Sequence, residues 1–207
     1  MSSESVTTVP NAFAARREIC EAGRRIYQRA FVAANDGNIS ARLSEDRILC
    51  TPTGVSKGFI SEEMLAICDL DGAQVSGPMK ISSEIRMHLE AYKLRSDIAA
   101  VVHAHPPTAT GFAVAGLDLT ECVLPEVIVL LGGIPLAPYG TPGGPDIFEP
   151  MRELVATYGC HWRVASASRG TLAICQWHPL IVKCCEREKG STQCCISAAP
   201  GFPIVPV

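Results

Sequence analysis

A short apolar run that ends in two histidines and two prolines constrains the fold of this chain most strongly. The run Ala99–Ala104 is almost entirely apolar, which predicts a strand buried within a sheet. Side chains alternate along a strand, so His103 and His105 project from the same face, where two imidazoles can bind one divalent ion. Pro106 and Pro107 end the strand, and we therefore expect the histidine pair at a rim of the sheet. The alternative is a pair of hydrogen-bonded histidines that binds no ion.

The segments around this strand predict both helices and short strands. Apolar residues spaced by three and four indicate helices, and polar turns separate the strand-like runs. The predicted elements are a helix at Ala12–Ala30, strands at Ile39–Leu43 and Ile48–Thr51, a helix at Glu84–Leu94, a helix from Pro106 through Ala115, a strand at Ile134–Ala137 and a helix from Pro145 to Thr157. Because strand and helix do not alternate strictly, the pattern favours a mixed or antiparallel sheet with helices on its faces.

Length, charge and hydropathy exclude several classes of protein. A chain of 207 residues is long enough for one core and short for two, so we expect one main domain. The net charge of −3, without a basic block, offers no electrostatic footprint for a nucleic-acid backbone. No window approaches the roughly 18 consecutive apolar residues of a membrane helix. Residues 1–10 resemble neither a signal nor a transit peptide. We expect a cytoplasmic protein whose residues 1–10 are flexible.

A second group of polar residues lies in turns and at a helix start. Ser82–Glu84 combines two hydroxyls with free backbone N–H groups, an arrangement that can bind phosphate. An ordinary capped helix also begins this way. The turns Asn35–Asn38 and Thr53–Gly54 can likewise contact phosphate or be plain turns. His88, four residues after Glu84, could form a separate metal-binding pair with it on the helix, but is interpreted as a surface residue or as a side chain that supports a metal ligand.

Together, these segments resemble the class II aldolase/adducin head family, and within it the L-fuculose-phosphate aldolase branch. The resemblance covers about Phe13 to Tyr158, with the motifs in family order and at family-like spacing. Five linked motifs are far more specific than any single one. They are Asn35-Asp36-Gly37-Asn38-Ile39-Ser40, Thr51-Pro52-Thr53-Gly54, Ser82-Ser83-Glu84 with Arg86 and His88, Val101-Val102-His103-Ala104-His105, and Pro138-Tyr139-Gly140.

The resemblance implies a fold, an assembly and a set of site residues. The implied fold has three αβα layers around a central, mostly antiparallel or mixed sheet, and the implied assembly is a homotetramer with active sites between subunits. Zinc or another divalent metal is implied, held by three histidines of which His103 and His105 match two. Glu84 is implied both as a metal ligand and as the catalytic proton acceptor. The implied substrate-phosphate pocket consists of Gly37, Asn38, Thr53, Gly54, Ser82 and Ser83.

The activity implied by the resemblance is that of a metal-dependent aldolase, an aldehyde-lyase of carbohydrate metabolism. Such an enzyme cleaves a ketose 1-phosphate, such as L-fuculose 1-phosphate, to dihydroxyacetone phosphate and an aldehyde through a cation-stabilised enediolate. A pentulose-phosphate 4-epimerase, a methylthioribulose-phosphate dehydratase or a decarboxylase of a sugar-acid phosphate can use the same kind of site. An alternative of another class is a catalytically inactive binding module, as in adducin heads, which keep the fold without metal.

The last quarter of the chain departs from the family pattern. The family's third metal histidine precedes a glycine well beyond the histidine pair, and Ser166–Gly170 occupies that place without a histidine. His161 and His178 are the candidates for a replacement ligand, although neither has the expected surroundings. We therefore assign residues 11–158 to the class II aldolase/adducin-type domain and residues 159–207 to a divergent or frameshifted C-terminal tail. The missing ligand argues against catalysis by the chain as written.

A shift of reading frame accounts for this departure. Ala167–Gly170 can be encoded as GCA TCA CGG GGN, and the same bases read one position later give His-His-Gly. We hypothesise that residues from about Gly159 onward are a frameshifted tail; a diverged or alternatively folded C-terminus is the other explanation. Resequencing the gene tests the hypothesis. We expect an inserted or deleted base near the codon of Gly159, and an intact frame shared with close homologues would refute it.

Overall fold

An eight-stranded sheet organises the part of the chain that the structure describes. The computed structural model describes residues 11–118, 135–138, 152–155, 161–166 and 170–175. The strands are β1 (Asn38–Ser44), β2 (Arg47–Cys50), β3 (Ala66–Cys68), β4 (Gln74–Ser76), β5 (Ala100–Ala104), β6 (Leu136–Ala137), β7 (His161–Ser166) and β8 (Gly170–Cys175). Their order is β4-β3-β2-β1-β5-β8-β7-β6. Neighbouring strands are antiparallel except β6 and β7, which are parallel.

Helices connect and cover the strands. The α-helices that the structure gives in full are α1 (Ala12–Gln28), α2 (Ile85–Leu94) and α3 (Pro107–Val114), and residues 152–155 are also helical. Asn11 caps α1, since its side chain accepts a hydrogen bond of 3.0 Å from the backbone N–H of Phe13. The helix ends two residues before the predicted end, because Ala30 adopts a φ of 55°. Two 3-10 turns, Lys57–Phe59 and Glu62–Met64, follow the first hairpin.

The buried side chains form two clusters on opposite faces of the sheet. One cluster contains Ala15 and Ile19 of α1 together with residues such as Leu49 of β2. The other contains residues of α2 and the two neighbours of Leu49 in β2, Ile48 and Cys50. Adjacent residues of a strand point to opposite faces, so α1 and α2 cover different faces. This arrangement confirms the predicted αβα layers and the mostly antiparallel, mixed sheet.

The apolar run predicted to be a buried strand is β5, at the middle of the sheet. It pairs with β1 on one side and with β8 on the other. The register with β1 places Asn38 opposite His103, and Ser40 opposite Val101. The end of β5 that carries His103 therefore lies beside Asn38, the first residue of β1.

Arg42 holds α2 against the sheet. Its guanidinium donates hydrogen bonds to the carbonyl oxygens of Tyr92 at 2.7 Å, Ile98 at 3.1 Å and Arg95 at 3.3 Å. The same group lies 4.8 Å from the centre of the Tyr92 ring. Cationic donors at a helix C-terminus satisfy its unpaired carbonyls and favour its dipole. The opposite end of α2, where Glu84 precedes the first helical residue, is thereby fixed over β1 and β5.

The structure describes only parts of the predicted last helix and of the predicted C-terminal tail. The predicted helix from Pro145 to Thr157 is described only at residues 152–155, and residues 159–160, 167–169 and 176–207 of the predicted tail lie outside the described residues. Within that tail, β7 and β8 pair with each other, and β8 pairs with β5. The domain boundary at residue 158 stays a prediction.

None of the helices in the described part of the chain has both the length and the apolar sequence that crossing a membrane requires.

Candidate functional site

A carboxylate, an amide and an imidazole meet where β1, β5 and α2 come together. The amide nitrogen Nδ2 of Asn38 donates a hydrogen bond of 2.7 Å to Oε2 of Glu84. The imidazole nitrogen Nδ1 of His103 lies 3.3 Å from that carboxylate oxygen and 3.3 Å from the amide nitrogen. Asn38 and His103 are buried, whereas Glu84 is partly exposed. The three side chains thus form one polar cluster with an opening to solvent at Glu84.

The backbone around Gly37 allows this cluster to form. Gly37 has a φ of 72°, in the left-handed region that glycine tolerates best. A Cβ atom at this position would lie 2.6 Å from the carbonyl oxygen of His103 and 2.7 Å from a methyl group of Val32. The turn before β1 can therefore approach β5 closely only with glycine here. This close approach brings Asn38 within reach of His103.

His105 lies just beyond β5 and next to His103. Its backbone N–H donates a hydrogen bond of 2.7 Å to the carbonyl oxygen of Phe31. The centres of the two imidazole rings are 4.7 Å apart, with an angle of 58° between the ring planes. Of the three residues predicted as metal ligands, His103 therefore contacts Glu84, and His105 lies next to His103.

Glu84 is a carboxylate over the whole neutral range. The hydrogen-bonded contact with His103 lowers the pKa of Glu84 to about 2, and Asn38 and the charge of His105 act in the same direction, although burial opposes them. A carboxylate stabilised by hydrogen bonds and a nearby positive group gives up its charge only at low pH. The side chain is thus ready to act as an anionic ligand or as a proton acceptor.

The predicted phosphate-binding residues lie in two turns and just before α2. Ser82 is buried, and its hydroxyl oxygen accepts a hydrogen bond of 3.3 Å from the backbone N–H of Glu84. The helix begins at Ile85, one residue later than predicted, and Ser83 is exposed. Thr53 is exposed, and Gly54 has a φ of 73° and open space where a Cβ would lie. The assignment of these residues to phosphate stays a prediction.

Two features of the site match a divalent cation. Zinc bonds to nitrogen and oxygen of about 2.0–2.1 Å, at tetrahedral angles, place two ligand atoms roughly 3.3 Å apart. The distance between His103 Nδ1 and Glu84 Oε2 is 3.3 Å. In addition, Oδ1 of Asn38 is buried without a hydrogen-bond partner among the described residues. Within the same ranges, no group of three His, Cys, Asp or Glu side chains has the spacing of a complete metal site. The residues present fit part of a ligand set.

A buried network behind the cluster was missed by the sequence analysis. Ser40 Oγ lies 2.7 Å from Nδ1 of His88 and 2.9 Å from the hydroxyl oxygen of Tyr92. His88 is fully buried, so its interpretation as a surface residue is wrong. Burial lowers the pKa of His88 to about 3, and the nearby His103 acts in the same direction. The network joins α2 to β1, and burial keeps His88 neutral.

Lys57 is a second residue that the sequence analysis did not identify. Its side chain is buried between the turns at Asn35–Gly37 and Thr53–Val55. A lysine in a polar turn gives no sequence signal of burial, because most lysines are exposed.

The sequence and the fold are similar to those of known proteins. The family model described as the class II aldolase and adducin N-terminal domain matches residues 17–173. The 3-oxo-tetronate 4-phosphate decarboxylase of Haemophilus influenzae is 34% identical over 139 residues, which cover 65% of this chain and 66% of that protein. The L-fuculose phosphate aldolase of Methanococcus maripaludis is 35% identical over 132 residues, which cover 64% of this chain and 71% of that protein. The chain therefore spans about two thirds of the length of these relatives.

A crystal structure of YgbL from Escherichia coli, described as an aldolase, epimerase or decarboxylase, has a similar fold. It superposes with a TM-score of 0.74 and 27% identity, covering 84% of each chain. The predicted fold class agrees with this similarity.

The neutral state of His88 has a consequence for stability at acidic pH. The pKa of His88 is about 3 in the folded protein and about 6.5 in the unfolded protein. Between these two pH values, His88 binds a proton in the unfolded protein but not in the folded protein. This contribution to stability is complete above about pH 6.5 and is lost as the pH falls towards 3. We expect urea denaturation to show a free energy of unfolding that falls by up to about 1.4 kcal/mol per pH unit from this group.

The matched variant is His88→Gln, which keeps a polar side chain that does not titrate. Between pH 6 and pH 5, where most carboxylates stay ionised, this variant should lose most of the slope seen in the wild type. Equal slopes in both proteins would contradict the assignment of a buried neutral histidine.

Proposed function

The chain belongs to the family of the class II aldolase and adducin N-terminal domain, and from that premise we propose that it is a lyase that breaks a carbon–carbon bond next to the carbonyl group of a small sugar phosphate. The observation that carries the proposal is the contact of the Glu84 carboxylate with Asn38 at 2.7 Å and with His103 at 3.3 Å. This cluster combines a proton acceptor with nitrogen and oxygen ligands for a cation.

Glu84, His103 and His105 are the residues that would hold a divalent cation. Zinc and related ions accept imidazole and carboxylate ligands, and the open edge at Glu84 leaves a route for substrate. A divalent cation held there supplies positive charge next to the substrate carbonyl and stabilises the negative charge that develops on its oxygen. Zinc is the member of this class that the family resemblance favours.

Glu84 supplies the proton chemistry in this proposal. An ionised carboxylate can accept a proton from a substrate hydroxyl or carbon atom and return it in a later step. Asn38 holds one carboxylate oxygen of Glu84 with its amide, which restricts the orientation of the carboxylate. Oδ1 of Asn38, which has no hydrogen-bond partner in the described part of the chain, is the acceptor that we propose for a substrate hydroxyl.

Two reactions named for relatives end in the same product. Loss of carbon 1 as CO2 from a 3-oxo-tetronate 4-phosphate leaves a hydroxymethyl carbon, a carbonyl and a phosphorylated carbon, which together are dihydroxyacetone phosphate. Aldol cleavage of L-fuculose 1-phosphate releases the same compound with an aldehyde. Both reactions pass through the same enediolate, so one site can serve either substrate. The names of the Haemophilus and Methanococcus relatives favour these two substrates over others.

Release of dihydroxyacetone phosphate is the measurement that tests the proposal. Purified protein loaded with zinc should release it from L-fuculose 1-phosphate or from 3-oxo-tetronate 4-phosphate, followed by NADH oxidation through glycerol-3-phosphate dehydrogenase. Formation of CO2 or of an aldehyde then identifies the reaction. A chelator should abolish turnover. Glu84→Gln should lower kcat by about 100-fold or more, because the proton acceptor is lost.

The matched control is Glu90→Gln on the same helix. Glu90 pairs with Arg152 at 2.9 Å and does not belong to the cluster, so its replacement should leave turnover within about twofold. Absence of dihydroxyacetone phosphate from both substrates would reject the lyase and support a binding module with the same fold.

A further inference from the structure

Lys57 is a buried cation that joins two turns of the candidate phosphate pocket. Its side chain is only 1% exposed. The ammonium group donates a hydrogen bond of 3.0 Å to the carbonyl oxygen of Asn35 and one of 2.6 Å to that of Val55. Asn35 lies two residues before Gly37, and Val55 directly follows Gly54. One side chain therefore holds both turns together.

The positive charge of Lys57 is not neutralised by direct contact. Among the described residues, no carboxylate oxygen lies within 4.0 Å of its nitrogen, and both hydrogen-bond acceptors are neutral carbonyls. Burial lowers the pKa of Lys57, while the more distant charges of Asp36 and Glu84 favour its ammonium form. A buried charge without an ion pair produces a strong local potential, because little water screens it. A dianion bound at the turns would lie in that potential.

The position of Lys57 is fixed by close contacts with α1. A Cβ atom at Gly23 would lie 2.4 Å from the carbonyl oxygen of Lys57. A Cβ at Gly58 would lie 2.5 Å from the ring of Tyr27. The 3-10 turn that carries Lys57 therefore lies directly against the helix, and glycine at both positions permits the contact. The lysine is held in place from its backbone as well as from its ammonium group.

We propose that Lys57 is a positioning residue for a phosphate group. Its side chain holds the turns at Asn35–Asn38 and Thr53–Val55 in a fixed relative position and adds positive charge next to them. The proposal rests on the proposed function for the existence of a phosphorylated substrate. It assigns to Lys57 a role that requires no contact with the reacting atoms. Its prediction is that phosphate binding, and not only folding, depends on the charge at this position.

The test measures binding of inorganic phosphate by isothermal titration at constant ionic strength. Lys57→Gln keeps N–H donors for the carbonyls but carries no charge, and Lys57→Met keeps neither. Both variants should bind phosphate about tenfold more weakly or worse, whereas Lys57→Arg, which keeps the charge, should stay within about threefold of the wild type. The matched control is Lys93→Met. Lys93 is an exposed lysine paired with Asp71 at 3.2 Å, and its loss should leave the affinity unchanged.

A merely structural role would lower the melting temperature of the variants and leave the affinity of the folded protein for phosphate unchanged, and that result would overturn the proposal. If the neutral variants do not fold, hydrogen exchange of the wild type decides instead. Phosphate should then slow amide exchange in residues 35–38 and 53–57 together, and protection of one turn alone would overturn the proposal. If the wild type does not bind phosphate, both the role of Lys57 and the phosphate pocket of the proposed function are rejected. If it binds phosphate but has no lyase activity, only the lyase activity is rejected.

Discussion

The pairing of β1 with β5 is the constraint on which the rest of the site depends. Their antiparallel register sets Asn38 opposite His103. The missing side chain of Gly37 permits the approach, because any Cβ there would meet the backbone of His103 at 2.6 Å. A slip of one residue would turn Asn38 to the other face of the sheet and separate the amide from both Glu84 and His103. The geometry of the cluster is therefore a consequence of sheet register.

The charges of the site follow from this geometry. Glu84 lies at the start of α2, which Arg42 fixes from the opposite end through three backbone carbonyls. His103 holds the pKa of the Glu84 carboxyl far below its ordinary value, while the buried His88 beneath it stays uncharged at neutral pH. The Glu84 carboxylate thus lies beside His103, and its charge, together with that of Asp36, acts on the buried Lys57. This arrangement supports the proposal that a divalent ion and a phosphate dianion bind here.

Local sequence patterns predict much of this arrangement, and long-range contacts account for what they miss. The apolar run before His103, the prolines after it and the polar start of α2 each act within a few residues, so the strand, its end and the helix could be predicted. Ser40, the partner of His88, lies 48 residues away along the chain, and Asn35, one of the two partners of Lys57, lies 22 residues away. Burial of such polar residues depends on tertiary packing, which periodicity does not reveal. The contact of the Asn38 amide with Glu84, 46 residues away, also comes from tertiary packing, and the assignment of Asn38 to the phosphate pocket stays a prediction.

The central claim is that Glu84, His103 and His105 converge on one divalent ion. Titration of the purified protein with Co2+, followed by its visible absorption bands, tests this claim directly. The account predicts one Co2+ per chain, with binding weakened by about 100-fold or more in both Glu84→Ala and His103→Ala, since each removes a ligand. Absence of Co2+ binding in the wild type, or equal binding by all three proteins, would contradict it.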